Sequence, residues 1–320
     1  MKMVALDAAT LDLQESAWAA VAELGDLIFH DLTPYQEATI IERCAGATVA
    51  LTNKVPFSRA TLEALPDLKL IAVLATGYNI IDLEAARECG VTVCNVPAYS
   101  TTSVVQHTLA LILEMTNQVG RHARAVADDE WVRSERFAFW HQAPIELNGL
   151  TVGIVGWGDI GSRVGTAVHA LGANVLGFSR SRRNAPQWSP FAWADVDTIF
   201  AQADVISLHC PQTPETTGLV NAERLKGMKP EAFLVNTARG GLVNEVDLAQ
   251  ALQNGSIAGA ALDVISAEPM RADNPLRGAP NCWITPHLAW ASLPSRERLL
   301  AITAANIRAF TAGDAQNAVG

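Results

Sequence analysis

Residues 152–180 read VGIVGWGDIGSRVGTAVHALGANVLGFSR, in which two apolar runs flank a glycine-rich turn and an amphipathic segment. This order predicts a buried strand, a tight turn into a helix, and a second strand. Gly156 allows the tight turn, Gly158 lets the backbone approach a pyrophosphate, and Gly161 permits close packing of the helix on the strand. The stretch therefore predicts a nucleotide-binding βαβ unit, with a purely structural glycine turn as the alternative.

The whole turn is expected to line a bound dinucleotide, because amides at a helix N-terminus face an anion. Cofactor binding is assigned to the six residues of the turn: Gly156, Trp157, Gly158, Asp159, Ile160 and Gly161.

The cofactor choice is predicted from FSRSRR, residues 178–183, at the end of the second strand. An NAD site usually has an acidic residue here for the adenosine ribose, but no carboxylate occurs between Asp159 and Asp195. Ser179 and Arg180, together with Arg182 or Arg183, can instead bind a 2′-phosphate. The sequence therefore predicts NADP(H) as the preferred cofactor and NAD(H) as the second choice. A solvated basic loop is the alternative interpretation.

Apolar runs alternate with helix-like segments along the rest of the chain, which is typical of parallel α/β sheets. The runs before the glycine turn are MVAL, DLIF, ATVALT and LKLIAVLA, and the later ones are ADVISLH, AFLVNTA, GAALDV and CWITPH. We expect two doubly wound, Rossmann-like α/β domains with a cleft between them. A long helix from Ser100 to Gly120 and a helix over SRERLLAITAANIRAFTAG would connect them. The predicted domains are a discontinuous, flavodoxin-like substrate-binding domain (1–100 and 291–320) and a dinucleotide-binding Rossmann domain (101–290).

Composition excludes several other classes of protein. With 320 residues, 49% of them hydrophobic, the chain is too large for a disulfide-stapled miniprotein and too apolar for a disordered coil. A net charge of −10 disfavours nonspecific binding to nucleic acid or anionic membranes. The five cysteines have no metal-ligand spacing, and no apolar run suits a secretory signal or a membrane span. We expect a reduced, cytoplasmic protein without a metal.

Three polar residues follow predicted strands of the second series: Arg239 in VNTARGGLVNE, Glu268 in GAALDVISAEP and His287 in ITPHLAWAS. Ligands of open parallel sheets bind beyond the carboxyl ends of the strands. Singly, each residue has a structural explanation, as a surface arginine, a turn glutamate and a capping histidine. Together they predict a catalytic site.

With these residues in place, the chain resembles the D-isomer-specific 2-hydroxyacid dehydrogenases over essentially its whole length. The resemblance rests on VGIVGWGDIG, HCPQTPETTGLVN, NTARGGLVNE, ALDVISAEP, TPHLAW and GDAQNAV. LTNKVP, ATGYNIIDLEAA and NVPAYSTTSVVQHTLALILE are most similar to the glycerate dehydrogenase and hydroxypyruvate (glyoxylate) reductase branch. The resemblance implies that His287 donates a proton to the substrate carbonyl, that Glu268 orients and charges His287, and that Arg239 binds the substrate carboxylate.

Further roles are implied by the same resemblance. Thr76, Gly77 and Tyr78 match amides that bind the substrate carboxylate. Cofactor-lining positions match Cys210, Pro211, Thr237, Ala238 and Asp263. The resemblance also implies a homodimer, with Trp131 and Trp140 either at its interface or in the core.

The predicted function is reduction of a small anionic 2-oxoacid, with hydroxypyruvate and glyoxylate as the expected substrates. Two alternatives remain. One is a family member with a different 2-hydroxyacid substrate, and the other is a nucleotide-sensing interaction protein on the same fold.

Overall fold

All strand pairing in the named sheets is parallel, and the strands form two separate sheets. The computed structural model describes all 320 residues. The chain divides into a first unit, Met1–Ser100 with Trp290–Gly320, and a second unit, Thr101–Ala289. Trp290 groups with the first unit, so the second unit ends one residue earlier than expected. The ring of Trp290 packs against that of Tyr99, with 6.4 Å between the centroids.

The first unit contains a five-stranded sheet in the order β2-β1-β3-β4-β5. This is the flavodoxin-like strand order. Its strands are Lys2–Ala5 (β1), Asp26–Phe29 (β2), Val49–Thr52 (β3), Leu70–Val73 (β4) and Thr92–Cys94 (β5). Its α-helices are Ala19–Ala22 (α1), Glu37–Cys44 (α2), Arg59–Glu63 (α3), Leu83–Glu88 (α4) and, after the second unit, Leu293–Thr311 (α11).

The second unit contains a seven-stranded sheet in the order β12-β11-β10-β9-β6-β7-β8. Counted from β6, this is the dinucleotide-binding order 3-2-1-4-5-6 with one more strand. Its strands are Thr151–Val155 (β6), Asn174–Phe178 (β7), Phe191–Trp193 (β8), Val205–Leu208 (β9), Phe233–Asn236 (β10), Gly259–Leu262 (β11) and Cys282–Ile284 (β12). Its α-helices are Thr101–Asn117 (α5), Val119–Ala127 (α6), Asp159–Ala170 (α7), Val196–Gln202 (α8), Ala222–Gly227 (α9) and Glu245–Gln253 (α10). Short 3-10 helices at Ala8–Leu11, Glu15–Trp18 and Gly240–Leu242 complete the regular structure.

Each sheet is covered on both faces, which explains the continuous apolar runs of its central strands. Along β4, Leu70 and Ala72 pack in one core while Ile71 and Val73 pack in another. Neighbouring side chains of a strand point to opposite faces, so both must be apolar when helices cover both. The predicted class, α/β with doubly wound parallel sheets, is confirmed.

The elements differ from the predictions at a few places. The strands β5 and β8 were not predicted, because both are three-residue edge strands. The prediction that one helix runs from Ser100 to Gly120 is wrong. α5 ends at Asn117, and Gly120 lies inside α6. The break falls at Gln118, which adopts the left-handed conformation (φ 48°) that glycine was expected to supply. Gln118 is 2% exposed, and its side chain bonds to Gln142 and Arg121. These hydrogen bonds, one of them to a residue 24 positions away, offset the cost of that conformation.

None of the helices combines the length and the apolar character that crossing a bilayer requires.

Candidate active site

The glycine-rich turn lies between β6 and α7, as predicted, and two of its glycines are required by close backbone packing. Gly156 has φ +109°, and a Cβ there would lie 2.5 Å from the backbone nitrogen of Cys210. A Cβ on Gly161 would lie 2.2 Å from the carbonyl oxygen of Gly156. By contrast, a Cβ on Gly158 would meet no atom within 4 Å. The turn is therefore tightly held at both ends and open at Gly158, where an incoming group can reach the backbone.

The N-terminus of α7 presents three backbone amides to this opening. The N–H groups of Asp159, Ile160 and Gly161 have no acceptor within the chain, as expected for the first turn of a helix. The amide of Trp157, by contrast, donates to the Phe178 carbonyl at 2.8 Å. Three adjacent free amides and a positive helix end form a cradle for a phosphate group.

Asp159 brings a negative charge to the same helix end, and two side chains bind it. Thr101 Oγ1 donates to Asp159 Oδ2 at 2.7 Å, and Arg163 Nε donates to Oδ1 at 2.9 Å. These hydrogen bonds, in that order, hold the pKa of the Asp159 carboxyl below its usual value. The Asp159 carboxylate is therefore bound to Arg163, whose positive charge offsets the negative charge next to the free amides of the helix N-terminus.

The basic loop after β7 lies at the carboxyl end of that strand, next to the glycine turn. Arg180, Arg182 and Arg183 are exposed, and none of their guanidinium groups makes a hydrogen bond or ion pair within the chain. Ser179 Oγ lies 3.4 Å from Ser181 Oγ. Three exposed guanidinium groups beside two serine hydroxyls form a surface that attracts anions.

The structure directly joins two of the three predicted catalytic residues. His287 follows β12 and Glu268 follows β11, and His287 Nδ1 lies 2.6 Å from Glu268 Oε2. Their side chains are 28% and 32% exposed. Because an ionised carboxylate can only accept, Nδ1 must carry the proton of this bond. The other ring nitrogen, Nε2, makes no hydrogen bond within the chain and is left for a ligand.

A buried carboxylate, Asp263, holds the loop that carries His287. Asp263 is 1% exposed, and its side chain accepts hydrogen bonds from Thr285 Oγ1 (2.6 Å), Leu288 N (3.0 Å) and Ala289 N (2.9 Å). The Asp263 carbonyl also accepts from the amide of His287, which has φ +53°. Four contacts from residues 285–289 explain how an unfavourable backbone conformation persists at His287. Asp263 thus contacts both sides of His287.

His107 on α5, which was not predicted as a site residue, completes this network. His107 Nε2 lies 3.0 Å from Thr285 Oγ1 and 3.4 Å from Asp263 Oδ1. The Thr285 proton is already donated to Asp263, so Nε2 of His107 must carry a proton of its own. Burial would raise the pKa of the Asp263 carboxyl, but the hydrogen bonds from His107, Thr285 and the loop amides outweigh burial and lower it. The sequence contained one signal of such a role: a histidine at the start of the apolar run HTLALIL.

Arg239 follows β10, the strand next to β11, and carries a guanidinium without a carboxylate partner. It is half-buried, and Nη1 donates to the carbonyl of Ala238 at 2.7 Å. Its backbone carbonyl accepts from Asn236 Nδ2 at 2.8 Å. The next residue packs against the loop of Glu268, since a Cβ on Gly240 would lie 1.9 Å from the Ile265 carbonyl oxygen. The loops of Arg239 and Glu268 are therefore in contact.

Glu245 at the start of α10 is a second residue of the site that was not predicted from the sequence. Its Oε1 accepts from the Ser266 amide at 2.5 Å, and Oε2 accepts from Asn274 Nδ2 at 2.9 Å. Both bonds anchor the loop that contains Glu268. Glu268 itself accepts from the Ile265 amide at 3.2 Å, so the loop is held from two sides.

The remaining cofactor-lining predictions fall at the carboxyl ends of β9 and β10. Cys210 lies against Gly156, and burial raises the pKa of its thiol, which disfavours the nucleophilic thiolate. Pro211 is exposed. Thr237 is 9% exposed and bonds to Thr108 Oγ1 at 2.9 Å, while Ala238 is half-buried.

In the first unit, the three predicted substrate-binding residues follow β4. Thr76 is exposed, and Gly77 and Tyr78 are half-buried. Their backbone amides have no acceptor within the chain. Thr76 Oγ1 donates to the Val96 carbonyl at 2.8 Å, and the Thr76 carbonyl accepts from Asn95 Nδ2 at 2.8 Å. The loop is therefore fixed with its amides available to an anion.

No group of three or more His, Cys, Asp or Glu side chains is arranged to hold a metal ion.

Comparison with known proteins gives a consistent result. Residues 109–289 match the family model for the NAD binding domain of the D-isomer specific 2-hydroxyacid dehydrogenases. The chain is 40% identical to a hydroxypyruvate reductase of Blautia hydrogenotrophica, covering 100% of this chain and 99% of the relative. It is 39% identical to a glycerate dehydrogenase of Methylorubrum extorquens, covering 99% and 98%. A solved NADPH-dependent glyoxylate/hydroxypyruvate reductase of Sinorhizobium meliloti, in complex with NADP and malonate, superposes with a TM-score of 0.84. It is 25% identical, and the match covers 100% of this chain and 96% of that one.

Proposed function

Because the chain belongs to the D-isomer specific 2-hydroxyacid dehydrogenase family, we propose that it reduces hydroxypyruvate to D-glycerate and glyoxylate to glycolate, with NADPH as the preferred reductant. The hydroxypyruvate reductase, glycerate dehydrogenase and glyoxylate/hydroxypyruvate reductase among its relatives support this substrate class. The observation that carries the proposal is the pair of His287 and Glu268, joined at 2.6 Å with one ring nitrogen left for a substrate.

His287 acts as the general acid. A reduced nicotinamide, when bound, supplies hydride to the keto carbon of the substrate. The Nε2–H of the imidazolium donates its proton to the keto oxygen, so that the product is the neutral 2-hydroxyl. Glu268 stabilises the imidazolium through Nδ1–H and fixes the plane of the ring. Asp263 and Thr285 hold the backbone that presents this ring.

Arg239 binds the substrate. Its planar guanidinium can bind a carboxylate through two parallel hydrogen bonds, and it is half-buried without an acidic partner. A positive charge beside the keto group also stabilises the oxygen as negative charge develops on it. We assign the free amides of Thr76, Gly77 and Tyr78 to the substrate carboxylate as well.

NADP(H) preference rests on the basic loop and the glycine turn. Within the turn Gly156 to Gly161, the free amides of Asp159, Ile160 and Gly161 provide the phosphate cradle. The other cofactor-lining candidates lie on loops after strands of the same sheet: Cys210, Pro211, Thr237, Ala238 and Asp263. Ser179, Arg180 and Arg182 offer a hydroxyl and two unpaired guanidinium groups to a 2′-phosphate. No acidic side chain in the loop after β7 is available to the ribose of NADH.

Steady-state kinetics test the function. Hydroxypyruvate, glyoxylate, pyruvate, phenylpyruvate and 3-phosphohydroxypyruvate are each assayed with NADPH and with NADH. We expect the highest kcat/KM with hydroxypyruvate or glyoxylate and NADPH. His287→Ala should abolish turnover while binding of NADPH, followed by fluorescence, persists. A preference for a bulky aromatic 2-oxoacid refutes the substrate assignment, and a higher kcat/KM with NADH refutes the cofactor assignment. Absence of turnover with every substrate favours a nucleotide-sensing role.

We also propose that the protein is a cytoplasmic homodimer. All five cysteines are unpaired, in keeping with a reducing compartment. The segment after α6 exposes large apolar side chains, with Trp131 49%, Val132 80%, Phe137 95% and Trp140 62% exposed. Such a concentration is typical of an interaction surface. Light scattering after size exclusion tests the dimer, and a monomeric mass at micromolar concentration refutes it.

A further inference from the structure

The loop of residues 179–189, which carries the three unpaired arginines, is joined to the rest of the chain by one hydrogen bond. The indole Nε1–H of Trp157 donates to the carbonyl of Asn184 at 3.1 Å. The other hydrogen bonds of these residues are internal, such as Arg182 N to the Ser179 carbonyl at 3.3 Å. Arg182 and Asn184 also have positive φ values, 45° and 58°. Because the loop makes few hydrogen bonds and contains two residues with positive φ, its conformation depends on the few contacts that join it to the rest of the chain.

Trp157 is fixed by its surroundings. It is 7% exposed, and its ring lies between α7 and the strands β7 and β8. Two glycines make room for it: a Cβ on Gly165 would lie 2.6 Å from the ring, and one on Gly177 would lie 3.1 Å from it. The ring centroid of Phe191 is 4.7 Å away. Because close packing leaves the indole one orientation, its N–H points in a fixed direction, toward the loop.

The far end of the loop has a second aromatic anchor. Trp188 stacks on His169 of α7, with 4.1 Å between ring centroids and 9° between ring planes. It also lies 6.4 Å from Trp157, so the two anchors belong to one aromatic cluster with Phe191 and Trp193. Arg180, Arg182 and Arg183 lie between the end of β7 at Phe178 and the first of these anchors, at Asn184.

We propose that Trp157 is a positioning residue for recognition of the adenosine 2′-phosphate, acting through the Asn184 carbonyl, with the stack of Trp188 on His169 in support. This inference rests on the proposed NADP(H) preference. Holding the backbone of the loop limits the positions that its guanidinium groups can take before the phosphate arrives. Without that restraint, binding must also order the loop and its long side chains, which weakens affinity. Ligands that lack a 2′-phosphate do not use the loop and should not be affected.

Calorimetric titration with two nucleotide fragments, 2′,5′-ADP and 5′-AMP, tests the inference on the full chain. Trp157→Phe removes the N–H and keeps an aromatic ring. Trp193→Phe is the matched control, because it makes the same truncation in the same cluster and the Trp193 indole donates no hydrogen bond. We expect Trp157→Phe to weaken 2′,5′-ADP about five-fold, the effect of losing one neutral hydrogen bond, and to leave 5′-AMP unchanged. Trp193→Phe should leave both affinities unchanged.

Trp188→Leu provides a second variant in case Trp157→Phe does not fold, as judged by its thermal melt. It should also weaken 2′,5′-ADP alone. Equal losses for both nucleotides indicate a general structural role and overturn the inference, as does wild-type affinity of the variants for 2′,5′-ADP. If the wild-type protein binds 2′,5′-ADP no more tightly than 5′-AMP, the NADP(H) preference itself fails and the inference falls with it.

Discussion

Replacing Glu268 with glutamine isolates the charge of the carboxylate from its shape. Glutamine can still accept a hydrogen bond from His287 Nδ1 through its amide oxygen, and it has nearly the same size. What it lacks is the negative charge 2.6 Å from the ring. The neutral ring is therefore retained in place while the imidazolium, the form that donates a proton in the reductive direction, is less stable.

The magnitude follows from the geometry of the pair. Hydrogen bonds to charged groups contribute about 1.5–3 kcal/mol. The two side chains are 28% and 32% exposed, so solvent screening reduces the effect toward the lower end of that range. A change of about 1.4 kcal/mol in the activation free energy corresponds to a ten-fold change in rate. We expect kcat/KM for hydroxypyruvate reduction to fall about ten-fold in Glu268→Gln.

The assay is the steady-state kcat/KM for hydroxypyruvate with saturating NADPH. Asp273→Asn is the control, since it removes one negative charge from the same loop without contacting His287. Its kcat/KM should match that of the wild type. A loss under two-fold in Glu268→Gln would contradict the electrostatic role and indicate that Glu268 only orients the ring.

The other predictions concern Arg239, the glycine turn and His209. Arg239→Lys should lower kcat/KM about 100-fold, because an ammonium cannot form the two parallel bonds of a guanidinium; a loss under three-fold in steady-state assays would exclude bidentate binding. Gly156→Ala should lower the melting temperature strongly, since φ is +109° and the new Cβ would lie 2.5 Å from a backbone nitrogen. Gly158→Ala should melt like the wild type but bind NADPH more weakly in fluorescence titrations, because its Cβ would meet no atom of the protein within 4 Å. Burial lowers the pKa of His209 to about 4 from 6.5, so the unfolded state takes up its proton first as the pH falls. The free energy of unfolding should therefore decrease by about 3 kcal/mol between pH 6.5 and 4, and urea titrations of His209→Gln should lack this part of the decrease.

Much of the fold could be predicted from local sequence because its signals are local. The glycine turn, the apolar runs of the central strands and the helix after Trp290 each depend on a few consecutive residues, and the structure contains all of them. The partnership of Glu268 with His287 came from family resemblance. Nothing in a spacing of 19 residues indicates a 2.6 Å contact.

What could not be predicted depends on contacts between distant segments. Gln118 follows the last residue of α5 and is bound through its side chain by Gln142, 24 positions away, so a glutamine takes a conformation that glycine usually supplies. His107 and Asp263 are 156 positions apart in the chain and meet only when α5 packs on the sheet. Such residues have no neighbouring pattern, and their roles become evident only from three-dimensional structure.

The strand order of the second unit has an evolutionary consequence. The basic loop follows β7, near one edge of the sheet, while the His287 loop follows β12, at the opposite edge. Five strand spacings of about 4.8 Å place these strands about 24 Å apart. Under the proposed function, selection can thus alter the preferred dinucleotide by changing an exposed loop, while His287 and Glu268 stay as they are. In this architecture, the preference for a reductant and the preference for a carbon substrate can change independently.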